Sequence, residues 1–279
     1  LEPNAKTYQK ALFSPTTSSV NPTRVVEHIG SNLIKKKAID ILFNENFIKK
    51  ENSNCIGTNK QKINFKYLIN TAGLYADKVG HKFGVGYQYT LVPFKGLYIG
   101  YTDDSLINRH IYPVPDINNP FLGVHFTKTV DGKVKAGPTA MPAFWRENYH
   151  GLSNLQIKEL MEVLATEAKL FLSNASNFRK TTFEEIKKNN RNYFIRLASN
   201  LVKRIDVDKF GNYLTPGIRA QLFDKEKNEL VMDFVAEHEE NSSHVLNAVS
   251  PAFTCAFSFG KFIANYVEKR LADKSIVSC

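Results

Sequence analysis

The sequence predicts an α+β chain in which an antiparallel sheet is covered by helices. Three observations carry that prediction. Residues 85 to 140 are rich in β-branched and aromatic side chains, cut by Gly and Pro, and contain the hairpin pair Asp131-Gly132. Beyond residue 150 the apolar period changes to a helical one. Two short apolar runs, far apart in the chain, each pass through small residues into a helix-like segment: "YLINTAGLYAD" (67–77) and "HVLNAVSPAFTCAF" (244–257).

In chain order, residues 22 to 36 read as a helix. Pro22 follows Asn21 at the first turn, and Val25, Val26, Ile29, Leu33 and Ile34 recur at helical spacing. Ile39 to Phe43 and Ile63 to Ile69 read as strands around a polar loop. Ser153-x-x-Gln156 and Thr182-x-x-Glu185 have the capping-box pattern, which places a helix start at each. Leu155, Leu160, Val163, Leu164 and Ala168 form the apolar face of the first run, and Phe183, Ile186, Tyr193 and Leu197 contribute to that of the second. Gly217 to Phe223 and Leu230 to Val235 read as strands. A last helix is expected after Ser250-Pro251, running to about Leu271.

Composition narrows the function classes. The 279 residues, 43% of them hydrophobic, suit one large domain or two modest ones, and twenty Phe with twelve Tyr argue against disorder. No apolar run approaches the roughly 18 residues that span a bilayer. Cys55, Cys255 and Cys279 lack metal-ligand spacing, so no metal site or disulfide is expected, and a reducing compartment, the cytoplasm, is the simpler location. Cys255 reads as a small buried helix residue before it reads as a nucleophile. The net charge of +10 raises nucleic-acid binding, but the lysines are scattered in twos and threes without interleaved aromatics. They read as solvated surface, with a residual use in steering an anionic substrate.

Small residues at a strand end let something approach the backbone, and a helix start offers free N–H groups and the positive end of its dipole. In the 244–257 segment Ser250 is expected at the cap and Pro251 at the first helical position. A capped helix without a ligand is the blander alternative. Gly84-x-Gly86 is the only G-x-G, and it fails as a phosphate loop because Tyr89 stands where the third Gly belongs and a strand follows. The order of elements describes a nucleotide-binding layer interrupted by a substrate domain.

The segments "LINTAGLYADKV", "LVPFKGLY", "IYPVPDINNPFLGVHFTKTVDGKVKAGPTA", "FWRENY", "PGIRAQL", "DFV" and "HVLNAVSPAFT", with the early "LEPN" and "VNPTRVV", resemble the L-2-hydroxyglutarate dehydrogenase/oxidase family, within the D-amino-acid-oxidase-like FAD-dependent oxidoreductases. The resemblance runs from Leu1 to about residue 272. It implies that the family's glycine-bearing βαβ unit, and a flavin-associated His, lie upstream of Leu1, so the chain is expected to be an N-terminally truncated member that retains FAD weakly or not at all. The implied division is a remainder of the FAD-binding domain over 1–80, with substrate-domain elements beginning within 1–20, then an antiparallel-sheet and helical substrate domain over 81–210, and a return to the FAD-binding domain over 211–279.

The chemistry the resemblance implies is FAD-dependent oxidation of L-2-hydroxyglutarate, a small dicarboxylate, to 2-oxoglutarate. Arg219 is the expected carboxylate anchor, because a guanidinium matches a carboxylate with two prongs. Without the resemblance it would read as a surface strand residue. His125 is the leading base, its neutral imidazole suited to take a hydroxyl proton. The competing readings are a satisfied core His at position 125 and the upstream His as the true base. Lys95 and Tyr112 are further substrate-contact candidates. Thr71, Ala72 and Gly73, with Asn247, Ala248, Ser250, Pro251, Ala252 and Thr254, match the flavin-contacting elements. The sequence departs from the family pattern at Lys95 (usually Arg), Leu97 (Glu), Thr139 (Asn), Val249 (Pro) and Phe253 (Ala). Alternatives are another oxidoreductase of the superfamily, acting on an amino acid or glycerol 3-phosphate, and a non-catalytic remnant. The electron acceptor (oxygen, a quinone or an electron-transfer protein) and peripheral attachment to a respiratory membrane are left open.

Overall fold

The N-terminal segment is anchored before any regular element begins. The Glu2 carboxylate accepts the backbone N–H groups of Asn108 and Arg109, each at 2.7 Å, and Ala5 bridges to Val202. The computed structural model describes residues 1–115 and 123–277. Along the chain come α1 (Pro22–Ile34), β1 (Phe47–Asn52), β2 (Cys55–Thr58), β3 (Lys62–Asn64) and β4 (Leu68–Asn70). A 3-10 turn, Gly73–Tyr75, leads into α2 (Ala76–Phe83), then β5 (Tyr89–Gly96), β6 (Ile99–Tyr101), β7 (His125–Lys128), β8 (Val134–Gly137) and β9 (Met141–Pro142). Three helices follow, α3 (Ile157–Ser173), α4 (Phe178–Lys187) and α5 (Arg191–Ser199). The chain closes with β10 (Phe210–Tyr213), β11 (Gly217–Asp224), β12 (Glu229–Leu230), β13 (Val235–His238), β14 (Ser242–Asn247) and α6 (Ala256–Val277).

These elements form two compact units. One comprises Leu1–Leu42, Phe94–Leu164 and Asn177–Arg219, and the other Phe43–Pro93, Ala165–Ser176 and Ala220–Cys279. The borders at 93/94, 164/165 and 219/220 fall inside β5, α3 and β11, and two more lie at 42/43 and 176/177.

The first unit is built on the antiparallel sheet β10-β6-β8-β7. Alternation along its strands sorts side chains onto two faces. Ile99, Tyr101, Phe126, Val134 and Ala136 take one face and form a core with Phe194, Ile195 and Ala198 of α5. The register His125↔Gly137, Thr127↔Lys135 and Gly100↔Lys135 puts His125, Thr127, Lys135, Gly137 and Gly100 on the other. The β7–β8 connection is the expected hairpin, with Gly132 at φ +79°, a conformation that suits Gly.

The second unit has an antiparallel sheet β1-β2-β3 and a sheet β13-β14-β4 whose β14–β4 pair is parallel. Its core includes Ala76, Leu91, Leu222 and Leu246. Phe83 of α2 packs against Phe47, Phe65 and the His244 ring, at centroid distances of 6.2, 6.5 and 4.9 Å.

Several expected elements are corrected. Residues 39 to 43 form no strand, and β1 and β2 instead occupy the polar stretch that followed. Residues 63 to 69 divide between β3 and β4. Neither capping box caps a helix. Ser153 precedes α3 by a turn, where its carbonyl accepts the Trp145 indole N–H, and Thr182 lies within α4. Glu185 is buried, accepting Ala140 N–H at 2.6 Å and the Lys188 ammonium. The α5 start is capped by Asn190, whose Oδ1 accepts Tyr193 N–H at 3.0 Å. Residues 230 to 235 split between β12 and β13, and α6 begins at Ala256, so Pro251 lies in the turns before the helix and not at its first position. Gly84 and Gly86 terminate α2 with φ of +94° and +71°, which makes the G-x-G a helix end.

Candidate functional site

The expected site residues fall into two sets, one in each unit. In the second unit, β4 and β14 run side by side in parallel, with Leu68, Ile69 and Asn70 opposite Ser242, Ser243 and His244. The turns "NTAG" and "NAVSPAFT" therefore leave the carboxyl ends of neighbouring parallel strands. In open α/β layers that end is where ligands bind. Thr71, Ala72, Gly73, Ala248, Ser250, Pro251 and Thr254 are exposed there, and Ala252 is half-buried. Gly73 has φ +55° with open space where a Cβ would project.

Buried polar groups shape the first turn. Asn70 Oδ1 accepts Ala72 N–H at 3.1 Å, and its amide donates to Ala76 O at 2.9 Å and to His244 Nδ1 at 3.1 Å. An acceptor role at Nδ1 leaves Nε2–H to donate to Ser242 Oγ at 3.0 Å. His244 is fully buried. Desolvation, with the charge of Lys50 and then His238 adding to it, lowers its pKa to about 4, so it is neutral. Asn70 and His244 were not anticipated from the sequence; neither matches a reactive pattern, and they lie 174 residues apart.

The second turn is closed by Ala252 N–H to Val249 O (2.9 Å) and by Thr254 Oγ to Pro251 O (2.9 Å). Among the departures from the family pattern here, Val249 is buried and Phe253 exposed. Asn247 tests the fit of a cofactor. Its amide donates to Val231 O and Asp233 O at 3.2 and 2.7 Å, while its buried Oδ1 has no hydrogen-bond partner. A buried acceptor left over at a strand end calls for an outside N–H or O–H donor. A flavin ring N–H or a ribityl hydroxyl is such a donor, so the residues present fit the group.

In the first unit, His125 Nδ1 lies 2.9 Å from Gly123 O and must donate to it. The Nε2 lone pair is then the basic position. Burial lowers the His125 pKa, opposed by the Gly123 bond and reinforced by His110 and Lys135, so the ring is neutral at pH 7. The Tyr112 ring lies 4.4 Å from the His125 ring. Pro120 and Phe121, in the segment that leads to this strand, lie outside the described residues. Lys95 is on β5, and β11, which carries Arg219, is the neighbouring strand. Both are half-buried, and desolvation lowers both pKa values while leaving the groups cationic. Three departures from the family pattern meet at one point: Thr139 Oγ accepts Leu97 N–H at 3.0 Å and donates to Lys95 O at 3.1 Å. Clefts of about 620 and 530 Å³ lie along α5, both beside Arg196, and contain none of the expected residues.

Two residues near His125 were not anticipated. Lys135 Nζ sits 4.2 Å from the Tyr98 ring centroid. Gly137 makes room for that ring, since a Cβ there would come within 2.6 Å of Tyr98 Cδ1. The alternation in "KVKAG" was the available signal, because it places Lys135 and Gly137 on the face opposite Val134 and Ala136.

Residues 1–266 match the family described as DAO, FAD dependent oxidoreductase. This chain belongs to that family. The DAO-family chain is 37% identical to an L-2-hydroxyglutarate dehydrogenase of Indibacter alkaliphilus over 77% of its own length and 54% of that protein's. It is 31% identical to the mitochondrial L-2-hydroxyglutarate dehydrogenase of Homo sapiens, over 76% of its length and 47% of the relative's. The chain thus spans about half the length of these curated relatives. Its fold is similar to that of an FAD-bound L-alpha-glycerophosphate oxidase of Mycoplasma pneumoniae, with a TM-score of 0.53 at 17% identity over 81% of this chain and 50% of that one. Among the described residues no helix is long and apolar enough to cross a membrane.

Proposed function

We propose that this chain contributes the substrate face and one wall of the flavin site of an FAD-dependent oxidoreductase that converts L-2-hydroxyglutarate to 2-oxoglutarate. The observation that carries the reading is the parallel β4–β14 pair, which sets both small-residue turns at the same strand ends. The names of the relatives supply the substrate. Bound FAD would supply the hydride acceptor for oxidation at the substrate's C2. Thr71, Ala72 and Gly73 in one turn, and Asn247, Ala248, Ser250, Pro251, Ala252 and Thr254 in the other, would hold it through backbone approach and the Asn247 acceptor. His125 Nε2 takes the hydroxyl proton, its tautomer fixed by the Gly123 carbonyl. Arg219 anchors the carboxylate beside that hydroxyl, with Lys95 on the neighbouring strand and Tyr112 against the base. The electron acceptor is oxygen, a quinone or an electron-transfer protein, and the reading locates the chain in the cytoplasm or peripheral to a respiratory membrane.

The test is oxidation of L-2-hydroxyglutarate with an artificial electron acceptor in the presence of added FAD, set against the D-isomer, glycine and glycerol 3-phosphate. Turnover confined to L-2-hydroxyglutarate is the expected result. Preferential oxidation of glycine or glycerol 3-phosphate would sink the substrate assignment.

A further inference from the structure

The face of the first unit's sheet that carries His125 also carries a cation the proposed chemistry has not used. Lys135 lies on β8 two residues from Gly137, and Gly137 is paired directly with His125. Lys135 and His125 are therefore diagonal neighbours on one face, within reach of one substrate. Lys133, two residues earlier, has a different environment. It is exposed and paired with Asp104 at 2.9 Å. Lys135 is half-buried, and no carboxylate pairs with it among the described residues. Its contact is the Tyr98 ring, and desolvation alone lowers its pKa. The same burial raises Tyr98 and Tyr112, so both phenols keep their protons as donors. The result is a partly desolvated ammonium with phenolic O–H groups nearby, beside a neutral imidazole. A half-buried cation without a carboxylate is a place for an anionic ligand.

We propose that Lys135 binds the distal carboxylate of the dicarboxylate substrate and so selects diacids over 2-hydroxy monoacids. This rests on the reading that places substrate on the His125 face. Arg219 is the expected anchor of the carboxylate next to the reacting carbon, which leaves the far carboxylate to a second cation. Lys135 supplies it from a neighbouring position on the sheet. Gly100, opposite Lys135, and Gly137 keep that face low.

The experiment is calorimetric titration of the full chain with L-2-hydroxyglutarate and, separately, with L-2-hydroxybutyrate, which lacks the far carboxylate. Wild-type chain is expected to prefer the diacid by on the order of tenfold to a hundredfold, as for a hydrogen-bonded charge pair. Lys135→Met keeps an apolar stem over the Tyr98 ring. It is expected to abolish that preference and leave monoacid affinity unchanged, with a thermal midpoint matching wild type. Lys135→Arg is expected to restore the preference. A diacid preference that persists in Lys135→Met overturns the role of Lys135 and leaves the substrate reading standing. Failure of wild-type chain to bind either acid overturns that reading and this inference with it.

Discussion

The two units carry their candidate chemistry in different ways. In the first, the groups that would act are side chains on one face of an antiparallel sheet: His125, Lys135, Tyr98 and Tyr112. In the second they are backbone turns at the ends of a parallel pair, held by Asn70 and His244 from beneath. A side-chain site changes with the residue that occupies it. A backbone site changes only when its supports do. The contrast teaches where each unit is vulnerable, and three perturbations probe it.

The largest effect is expected at the His125 face. His125→Asn removes the proposed base and should lower turnover of L-2-hydroxyglutarate by roughly 10²- to 10⁴-fold, the usual contribution of a positioned proton acceptor. The chain should remain folded, which far-ultraviolet circular dichroism would check. In the wild type, the lowered His125 pKa keeps the base form populated through neutrality. The rate should therefore fall only on acidification below the ordinary His range. An unchanged rate in His125→Asn would place the base elsewhere.

The second perturbation is acid acting on the backbone turn. The folded-state pKa of His244, about 4, lies below its ordinary value of 6.5. The stabilisation this represents is complete above pH 6.5 and is lost as pH falls through 4, up to about 3 kcal/mol at 1.36 kcal/mol per unit. A proton on Nδ1 would face the donating amide of Asn70, releasing the residue that holds Ala72. His244→Gln does not titrate, so urea midpoints measured from pH 7 to 4 should fall less steeply in the variant than in wild type. Parallel curves would show that His244 is not the titrating support.

The smallest effect sharpens the comparison within the first unit. Lys133 is largely exposed and its ion pair with Asp104 is screened by solvent. Lys133→Ala should leave both the thermal midpoint and the binding of L-2-hydroxyglutarate unchanged. A loss of diacid binding in that variant as large as in Lys135→Met would mean that general positive charge, not position, draws the substrate.

Much of the first unit was legible because its pattern is local. The Asp131-Gly132 hairpin, α1 behind Asn21 and the start of β11 at Gly217 all follow from neighbouring residues. The failures share a cause, which is tertiary context overriding a local signal. Glu185 has the spacing of a capping residue, but it is buried and bound to Ala140 N–H and Lys188. Residues 47 to 58 look like polar loop because only alternate positions of β2 are buried and no position of β1 is. In the second unit, the turns proposed to face the flavin were visible as small residues at strand ends. Their supports were not, because the partner of Asn70 is known only once β4 and β14 are seen to be neighbours.

That neighbour relation also orders events at the ribosome. Leu68 to Asn70 leave the exit tunnel long before Ser242 to His244 do; Asn70 and His244 are separated by 174 residues. At ordinary elongation speeds the wait is on the order of ten to thirty seconds. The "NTAG" bend must spend that interval without its neighbouring strand and is completed only once Ser242 to His244 have emerged.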